Sequence, residues 1–230
     1  MENRVYVIGL GVGDSGLLTL NALNAIKNSD IVITPQSKKS KRSVALNIIK
    51  DFVGEDKIKM FYFPTTNNEQ ELKKVYDEEA EFIEKAFLNK KQVSYVTIGD
   101  VSIYSTFNYL SERLKNKNIP FEIIPGIASF ISLANRIAQP LVLKGESFAV
   151  MEMSKGVDKI VSAFDIVDSV AILKVGNRIE NLMEIVRRIK PSYAYLGIKL
   201  YMEDERIVNL LEDDVQNIKD AYLSLAVIKK

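Results

Sequence analysis

The sequence predicts an α/β protein built from two α/β domains. Three observations support this fold class: apolar β-rich runs alternate with helical periodicities along the chain, the 230 residues are 47% hydrophobic with nearly even charge, and a proline–glycine turn breaks the rhythm near the middle. Alternation of strand and helix patterns is typical of sheets covered by helices. A chain of this length can bury one large or two small cores.

The first part of the chain contains four predicted strands and three predicted helices. The strands lie near residues 4–9, 30–34, 58–62 and 93–98, and the helices lie near 15–28, 43–53 and 69–88. In the last helix the apolar residues recur at helical spacing, which indicates a side that faces the core. We expect charged residues to fill its opposite face. The apolar residues are Leu72, Val75, Tyr76, Phe82, Ile83, Ala86 and Phe87.

The domain boundary is predicted at a turn after the next helix and strand. A helix near 106–116 and a short strand at 121–124 end at Pro125-Gly126. Turn residues and a change of rhythm coincide here, so we expect an N-terminal α/β domain of residues 1–122 and a C-terminal α/β domain of residues 123–230. The second domain repeats the alternation, with strands near 147–151, 169–174, 193–199 and 222–228 and helices near 128–138, 157–163 and 177–189.

Composition excludes several classes of function. The chain has no cysteine and no histidine, so disulfides, thiolate metal sites and a histidine-based triad are excluded, and no protein-bound metal is expected. A net charge of +1 argues against a broad nucleic-acid surface. There is no apolar run of 18 residues and no signal-peptide pattern, so we expect a cytoplasmic protein without a membrane span.

A glycine-rich loop follows the first strand, at Gly9-Leu10-Gly11-Val12-Gly13-Asp14. Glycines at alternate positions allow the backbone to approach a ligand closely. A dinucleotide fingerprint would need a third glycine where Asp14 stands, and an acid at the end of the next strand. Asp30, the acid of that strand, lies at its wrong end. NAD binding therefore loses most of its support.

Two further strand ends carry small and hydroxyl residues, at Thr97–Thr106 and Ile124–Phe130. Ligands of open α/β sheets gather at the carboxyl ends of strands, so both segments are candidate site loops. Asp100 has an alternative interpretation as the N-cap of the following helix. The serines of these segments lack a histidine base, which makes a hydrolase triad an unsuitable interpretation.

Taken together, the three segments resemble the motifs of the tetrapyrrole methylases, the class III S-adenosylmethionine-dependent methyltransferases. The family's G-x-G-P-G-D, G-D-P-S-x-Y-S-T and P-G-I-x-S-F motifs correspond to segments 9–14, 99–106 and 125–130. Val12 and Val101 stand where the family has proline. The resemblance implies the family's fold, with the active-site cleft between the two domains, and a homodimer. It also implies methylation of precorrin-2 or cobalt-factor-2 at carbon 20, in the synthesis of the corrin ring of cobalamin.

The resemblance also implies residue roles. S-adenosylmethionine is the expected methyl donor, and Asp100 is a candidate for an acid/base or orienting role. The expected cofactor contacts are Val12, Ile98, Gly99, Asp100, Ile103, Ala128, Ser129, Leu173 and Leu200. The tetrapyrrole carries eight carboxylates, so cationic side chains should hold it. The candidates are Lys38, Lys39, Lys41 and Arg42 in the loop after the second strand, with Arg136 and Lys144 as lesser ones.

Several alternatives stay open at this point. The basic loop is also compatible with a solvated surface loop. Within the same family, a diphthine synthase or a ribosomal-RNA ribose methyltransferase would use the same cofactor on a macromolecule. A non-catalytic nucleotide-binding module would share the glycine loop but would not need the other two motifs. The residues do not distinguish a cobalt-bearing substrate from a metal-free one.

Overall fold

The computed structural model describes residues 4–36, 43–63, 68–215, 218 and 221–230. It contains two compact units, Met1–Ala128 and Ser129–Lys230, and each unit is built around one five-stranded sheet. The predicted α/β class is therefore confirmed. The expected division at residues 122 and 123 stays a prediction about the domains.

The first unit has an entirely parallel sheet in the order β3-β2-β4-β1-β5. Its strands are β1 Val5–Gly9, β2 Ile31–Gln36, β3 Ile58–Tyr62, β4 Val93–Thr97 and β5 Phe121–Ile124. Its helices are α1 Leu20–Lys27, α2 Val44–Ile49, α3 Glu69–Leu88 and α4 Phe107–Asn116. The strand and helix predictions for this part are confirmed, with one exception in the first helix.

The helix predicted over 15–28 is in fact two elements. Ser15–Leu17 forms a 3₁₀ turn, and α1 begins only at Leu20. The interruption is Thr19, whose backbone is extended and whose hydroxyl accepts a hydrogen bond from the Ala22 N–H at 3.1 Å. A threonine that caps the helix in this way starts a new helix rather than continuing the preceding turn.

Helices pack on both faces of the first sheet. One buried cluster joins β1 and β4 to α3 and α4, and a second joins the other face of the sheet to α1 and α2. The expectation that charged residues of α3 all lie on its outer face is wrong at Glu79, which is fully buried. Glu79 lies three residues after Tyr76 and four before Ile83, so helical geometry places it among the apolar residues of α3.

The second unit has a mixed sheet in the order β6-β7-β10-β8-β9. Its strands are β6 Phe148–Glu152, β7 Ser169–Leu173, β8 Tyr193–Ile198, β9 Arg206–Asn209 and β10 Ser224–Lys229. Its helices are α5 Ser129–Arg136, α6 Val157–Ala163 and α7 Ile179–Ile189. The predicted elements are confirmed, and β9 is an additional strand that the sequence analysis missed.

The orientation of the strands decides which loops of the second unit share an edge. β6 and β7 are parallel, and β10 is antiparallel to both β7 and β8. The carboxyl ends of β6, β7 and β8 and the beginning of β10 therefore lie at one edge of the sheet. In the described part of the chain, no helix is long and apolar enough to cross a membrane.

Candidate ligand site at the strand ends

The three segments singled out in the sequence follow β1, β4 and β5, which are adjacent in the first sheet. Since these strands are parallel, their carboxyl ends meet at one edge. After β1 the chain continues to β2 and β3 on one side of the sheet, whereas after β4 it crosses β1 and forms β5 on the other side. Loops that leave neighbouring strands in opposite directions leave room for a ligand between them. The topology thus brings all three segments together.

Contact between the three turns is made through glycine backbone. A Cβ atom added to Gly9 would lie 2.6 Å from the Gly126 nitrogen and 2.7 Å from the Gly99 carbonyl oxygen. A Cβ atom on Gly126 would lie 2.6 Å from the Gly9 carbonyl carbon. No side chain fits at such distances from backbone atoms. Each of the three segments therefore contributes one glycine to a single close backbone contact.

The first and second turns are also joined by hydrogen bonds. The Gly99 N–H donates to the Gly11 carbonyl at 2.7 Å, and the Gly11 N–H donates to the Gly99 carbonyl at 3.2 Å. Both glycines have left-handed φ angles, +72° at Gly11 and +74° at Gly99. In the described part of the chain, no atom other than those of Gly99 and its two chain neighbours lies within 4 Å of the position that a Cβ would take. Its backbone is therefore accessible to a ligand that a side chain would keep away.

Asp100 ties the second turn to the third. One carboxylate oxygen accepts hydrogen bonds from the Ser102 N–H at 2.8 Å and from the Ser102 hydroxyl, and the other accepts from the Gly126 N–H at 3.0 Å. Burial opposes ionisation, but these hydrogen bonds outweigh it and lower the pKa of Asp100. The N-cap interpretation is wrong, since Thr106 occupies the N-cap of α4.

The apolar residues expected to line this site lie on the same three turns. Val12 and Ala128 are almost fully buried, and Ile98 and Ile103 are half-buried. Val101, at a position where the family has proline, is 1% exposed. The valine therefore keeps this position apolar and packed, although it does not restrict the backbone as proline does.

In the second unit, Leu173 and Leu200 lie at the same edge of the mixed sheet. Leu173 ends β7, and Leu200 follows the end of β8 by two residues. Both are buried. The third expected contact of this unit, Ser129, is the first residue of α5 and is half-buried.

This edge also holds an unusual group of backbone conformations. Among the described residues, nine non-glycine residues have left-handed φ angles. Four of them follow helix ends, where this conformation is common: Lys90, Asn118, Ala138 and Lys190. The others are Tyr104 in the second turn and Lys174, Lys199, Tyr201 and Leu223 at the edge of the second sheet. Strained backbone of this kind concentrates at functional sites, so it marks both sets of loops as candidates.

The remaining predicted residues have other positions. Lys38, Lys39, Lys41 and Arg42 lie outside the described residues. Arg136 is paired with Glu205, and Lys144 is exposed. Asp30 accepts a hydrogen bond from the Gln92 N–H at 2.8 Å at the amino end of the sheet, which gives this acid a structural role. Within the described ranges, no group of three or more His, Cys, Asp or Glu side chains could hold a metal ion.

A parallel sheet with glycine-built turns at the ends of adjacent strands is typical of α/β proteins that bind small organic ligands at their strand ends. Comparison with known protein families then identifies the family of this chain. The chain belongs to the Tetrapyrrole (Corrin/Porphyrin) Methylases, which it matches over residues 4–215. The resemblance of the three motifs to this family is thereby confirmed.

Two curated relatives cover most of the chain. The probable cobalt-precorrin-2 C(20)-methyltransferase of Methanocaldococcus jannaschii is 35% identical over 100% of this chain and 97% of its own length. The cobalt-precorrin-2 C(20)-methyltransferase of Salmonella typhimurium is 30% identical over 86% of this chain and 81% of its own length.

Solved structures share the fold at lower identity. A cobalt precorrin-4 methyltransferase superposes with a TM-score of 0.77 at 17% identity, covering 98% of this chain and 94% of the other. The uroporphyrin-III C-methyltransferase of Thermus thermophilus, complexed with S-adenosylhomocysteine, has a TM-score of 0.68 at 19% identity, covering 99% and 98%. The tetrapyrrole methylase fold expected from the sequence is confirmed.

Proposed function

We propose that this chain methylates carbon 20 of cobalt-precorrin-2, with S-adenosylmethionine as the methyl donor. The observation that carries the proposal is the contact of the three motif turns through Gly9, Gly99 and Gly126, in a chain that matches relatives of this activity over most of its length. We propose the cobalt form rather than metal-free precorrin-2 because both relatives named above bear that substrate in their names.

The residues of the three turns fit a methyl donor of this shape. Gly99 offers backbone without a side chain in front of it, and Val12, Ile98, Ile103 and Ala128 offer apolar contacts nearby. Organic ligands bind in sites of this composition, which are largely apolar with a few placed polar groups. We propose these residues, together with Ser129, Leu173 and Leu200, as the donor contacts.

Asp100 is proposed as a positioning residue. Its carboxylate accepts three hydrogen bonds, and its lowered pKa keeps it ionised at neutral pH. A carboxylate with a lowered pKa, whose two oxygens already accept three hydrogen bonds, is a weak proton acceptor, and in its ionised form it has no proton to donate, so an acid/base role fits less well. Its hydrogen bond to the Gly126 N–H instead fixes the third turn against the second.

When bound, S-adenosylmethionine supplies an electrophilic methyl group on a sulfonium. The task left to the protein is alignment of that group with the attacking carbon, which can account for a large part of the acceleration. Backbone groups held by neighbouring turns suit this task because they do not move between rotamers. We propose that Lys38, Lys39, Lys41 and Arg42 hold the carboxylates of the tetrapyrrole by charge-assisted hydrogen bonds.

The direct test is turnover. The purified chain is incubated with S-adenosylmethionine and either cobalt-precorrin-2 or metal-free precorrin-2, and the products are analysed by mass spectrometry. We expect one added methyl group on the cobalt form, located at carbon 20 by fragmentation or NMR, and much slower reaction of the metal-free form. Methylation at another carbon would refute the assigned position, and a faster metal-free reaction would refute the assigned substrate form.

Binding experiments separate the remaining alternatives. Titration calorimetry with S-adenosylhomocysteine and with NAD is expected to show binding of the first ligand only. Binding of S-adenosylhomocysteine without turnover of either tetrapyrrole would favour a non-catalytic module or a macromolecular substrate. We further propose that the protein is a homodimer and is cytoplasmic. Light scattering after gel filtration measures the oligomeric state, and cell fractionation tests the location.

A further inference from the structure

A turn after β8, residues 199–205, is held by an arginine of α5. One carboxylate oxygen of Glu205 accepts a hydrogen bond from the Arg136 Nε at 2.9 Å, and the same oxygen forms an ion pair with a terminal nitrogen of Arg136, also at 2.9 Å. Its other oxygen accepts the Tyr201 N–H at 2.9 Å. The Arg136 guanidinium also lies over the Tyr201 ring, 5.0 Å from its centre. Arg136 therefore contacts the 199–205 turn twice, through a carboxylate and through an aromatic face.

The turn needs such support because its backbone is strained. Lys199 and Tyr201 both have left-handed φ angles, +49° and +58°, and neither is a glycine or asparagine. Conformations of this kind persist only where the surrounding contacts fix them. The residue between the two is Leu200, which is 3% exposed. The position of Leu200 thus depends on two strained neighbours.

The same helix also contributes a leucine to the packing around Gly197, where Leu200 lies. A Cβ atom on Gly197 would lie 2.9 Å from the Leu200 Cδ2 and 3.0 Å from the Leu133 Cδ1, so both leucines pack over this glycine. Leu133 precedes Arg136 by three residues, which places them on the same side of α5. One face of α5 therefore places Leu133 beside Gly197, as Leu200 does, and holds the 199–205 turn through the Arg136–Glu205 hydrogen bond and ion pair.

This arrangement differs from an ordinary surface ion pair. The Glu205 side chain is only 14% exposed, and both of its oxygens are engaged. By comparison, Arg188 on α7 pairs with Asp158, whose side chain is 91% exposed. Arg136 and Arg188 have similar exposure, 45% and 42%. Exposed pairs contribute little, whereas a partly buried carboxylate that also binds backbone fixes geometry.

We infer that Arg136 is a positioning residue for the methyl-donor site, acting through Glu205 and Tyr201 on Leu200. The inference rests on the proposed function, in which Leu200 contacts the donor. It also makes Arg136 a weaker candidate for holding substrate carboxylates, because its Nε and one terminal nitrogen already contact Glu205. Ser129, another proposed donor contact, begins the helix that Arg136 ends. α5 thus carries one donor contact and positions another.

The test compares Arg136→Gln with Arg188→Gln as a matched control. The dissociation constant of S-adenosylhomocysteine is measured by calorimetry on the full chain, and KM values are measured for donor and tetrapyrrole. For Arg136→Gln we expect donor KM and S-adenosylhomocysteine dissociation constant to rise about tenfold, with tetrapyrrole KM unchanged within about twofold. Glu205→Gln is expected to act in the same direction, and Arg136→Lys to restore part of the loss. Arg188→Gln is expected to change neither constant.

Three results would overturn the inference. A rise in tetrapyrrole KM with unchanged donor binding would show that Arg136 holds the substrate. Equal and small effects of the Arg136 and Arg188 variants would show an ordinary surface pair. Absence of S-adenosylhomocysteine binding by the unmodified chain would refute the proposed function and this inference with it, whereas normal binding by the unmodified chain and by Arg136→Gln would refute the inference alone.

Discussion

Replacing Glu79 by glutamine is expected to flatten the dependence of stability on pH. Glu79 is fully buried on α3, and among the described residues neither of its carboxyl oxygens has a hydrogen-bond partner. Burial raises the pKa of Glu79 from 4.5 to about 8. Tyr76 on the same helix and Tyr95 on β4 lie close enough for the Glu79 charge to add to the effect of burial, which raises the pKa of both tyrosines. Arg113 of α4 lies over the Tyr76 ring and donates to Asp77 rather than to Glu79.

The sign of the effect follows from where the proton is held. The folded chain keeps the Glu79 proton until about pH 8, whereas the unfolded chain releases it near pH 4.5. The free energy of unfolding therefore falls as pH rises through this window and levels off above it. The whole window corresponds to roughly 5 kcal/mol, and the step from pH 5 to pH 7 to roughly 2.5 kcal/mol. Glutamine fills nearly the same volume and cannot ionise.

Urea unfolding at pH 5, 6, 7 and 8 measures this difference. Far-UV circular dichroism measures the unfolding of the whole chain. Hydrogen exchange of α3 peptides shows whether the transition belongs to the first unit. We expect the stability of Glu79→Gln relative to the unmodified chain to grow by about 2.5 kcal/mol between pH 5 and pH 7. Glu78→Gln is the control, since the Glu78 side chain is 59% exposed. A Glu79→Gln difference that stays constant with pH would refute the argument.

Three further changes test the site. Gly126→Ala is expected to destabilise the first unit by about 1–3 kcal/mol and to abolish S-adenosylhomocysteine binding, because its Cβ would collide with the Gly9 backbone. Gly145→Ala is the control: its φ of +89° also strains an alanine, but no described atom beyond its chain neighbours lies within 4 Å of the added Cβ, so that binding should stay intact. Asp100→Asn should weaken the same binding about tenfold, since the amide group presents a donor to N–H groups that need an acceptor; unchanged affinity on calorimetry would argue against its positioning role. Alanine at the four basic loop positions should raise tetrapyrrole KM more than it weakens donor binding, and equal effects would contradict the assignment. Those positions are Lys38, Lys39, Lys41 and Arg42.

Periodicity predicted most of the fold because it reports local geometry and burial together. It placed α3 within its observed bounds, and the same spacing puts Glu79 between Tyr76 and Ile83 on the apolar side. Glu79 was nevertheless expected to face outward, because a glutamate is rarely fully buried. Similarly, β9 is only four residues long and has no alternation of its own. Its pairing with β8 becomes visible only in the sheet.

The candidate site also has parts that the sequence predicted and parts that it did not. Glycine spacing predicted the three turns, and parallel-sheet logic predicted that they share an edge. The Arg136–Glu205 pair could not be predicted, because 69 residues separate its members and both residue types are common on surfaces. Nor did residue type predict the left-handed backbone of Lys199 and Tyr201, since glycine and asparagine are the usual residues there.

Whether a position in the turns tolerates substitution depends on whether its backbone or its side chain makes the contact. Asp14 and Asp100 both accept backbone N–H groups, so the carboxylates of the turns serve to fix the loops. A chain without histidine can still align a methyl donor, because alignment needs fixed backbone rather than proton transfer. Valine can therefore replace the family's proline at residue 12 while keeping an apolar contact. Gly9 and Gly126 have no such freedom, because each lies where any side chain would meet the other's backbone.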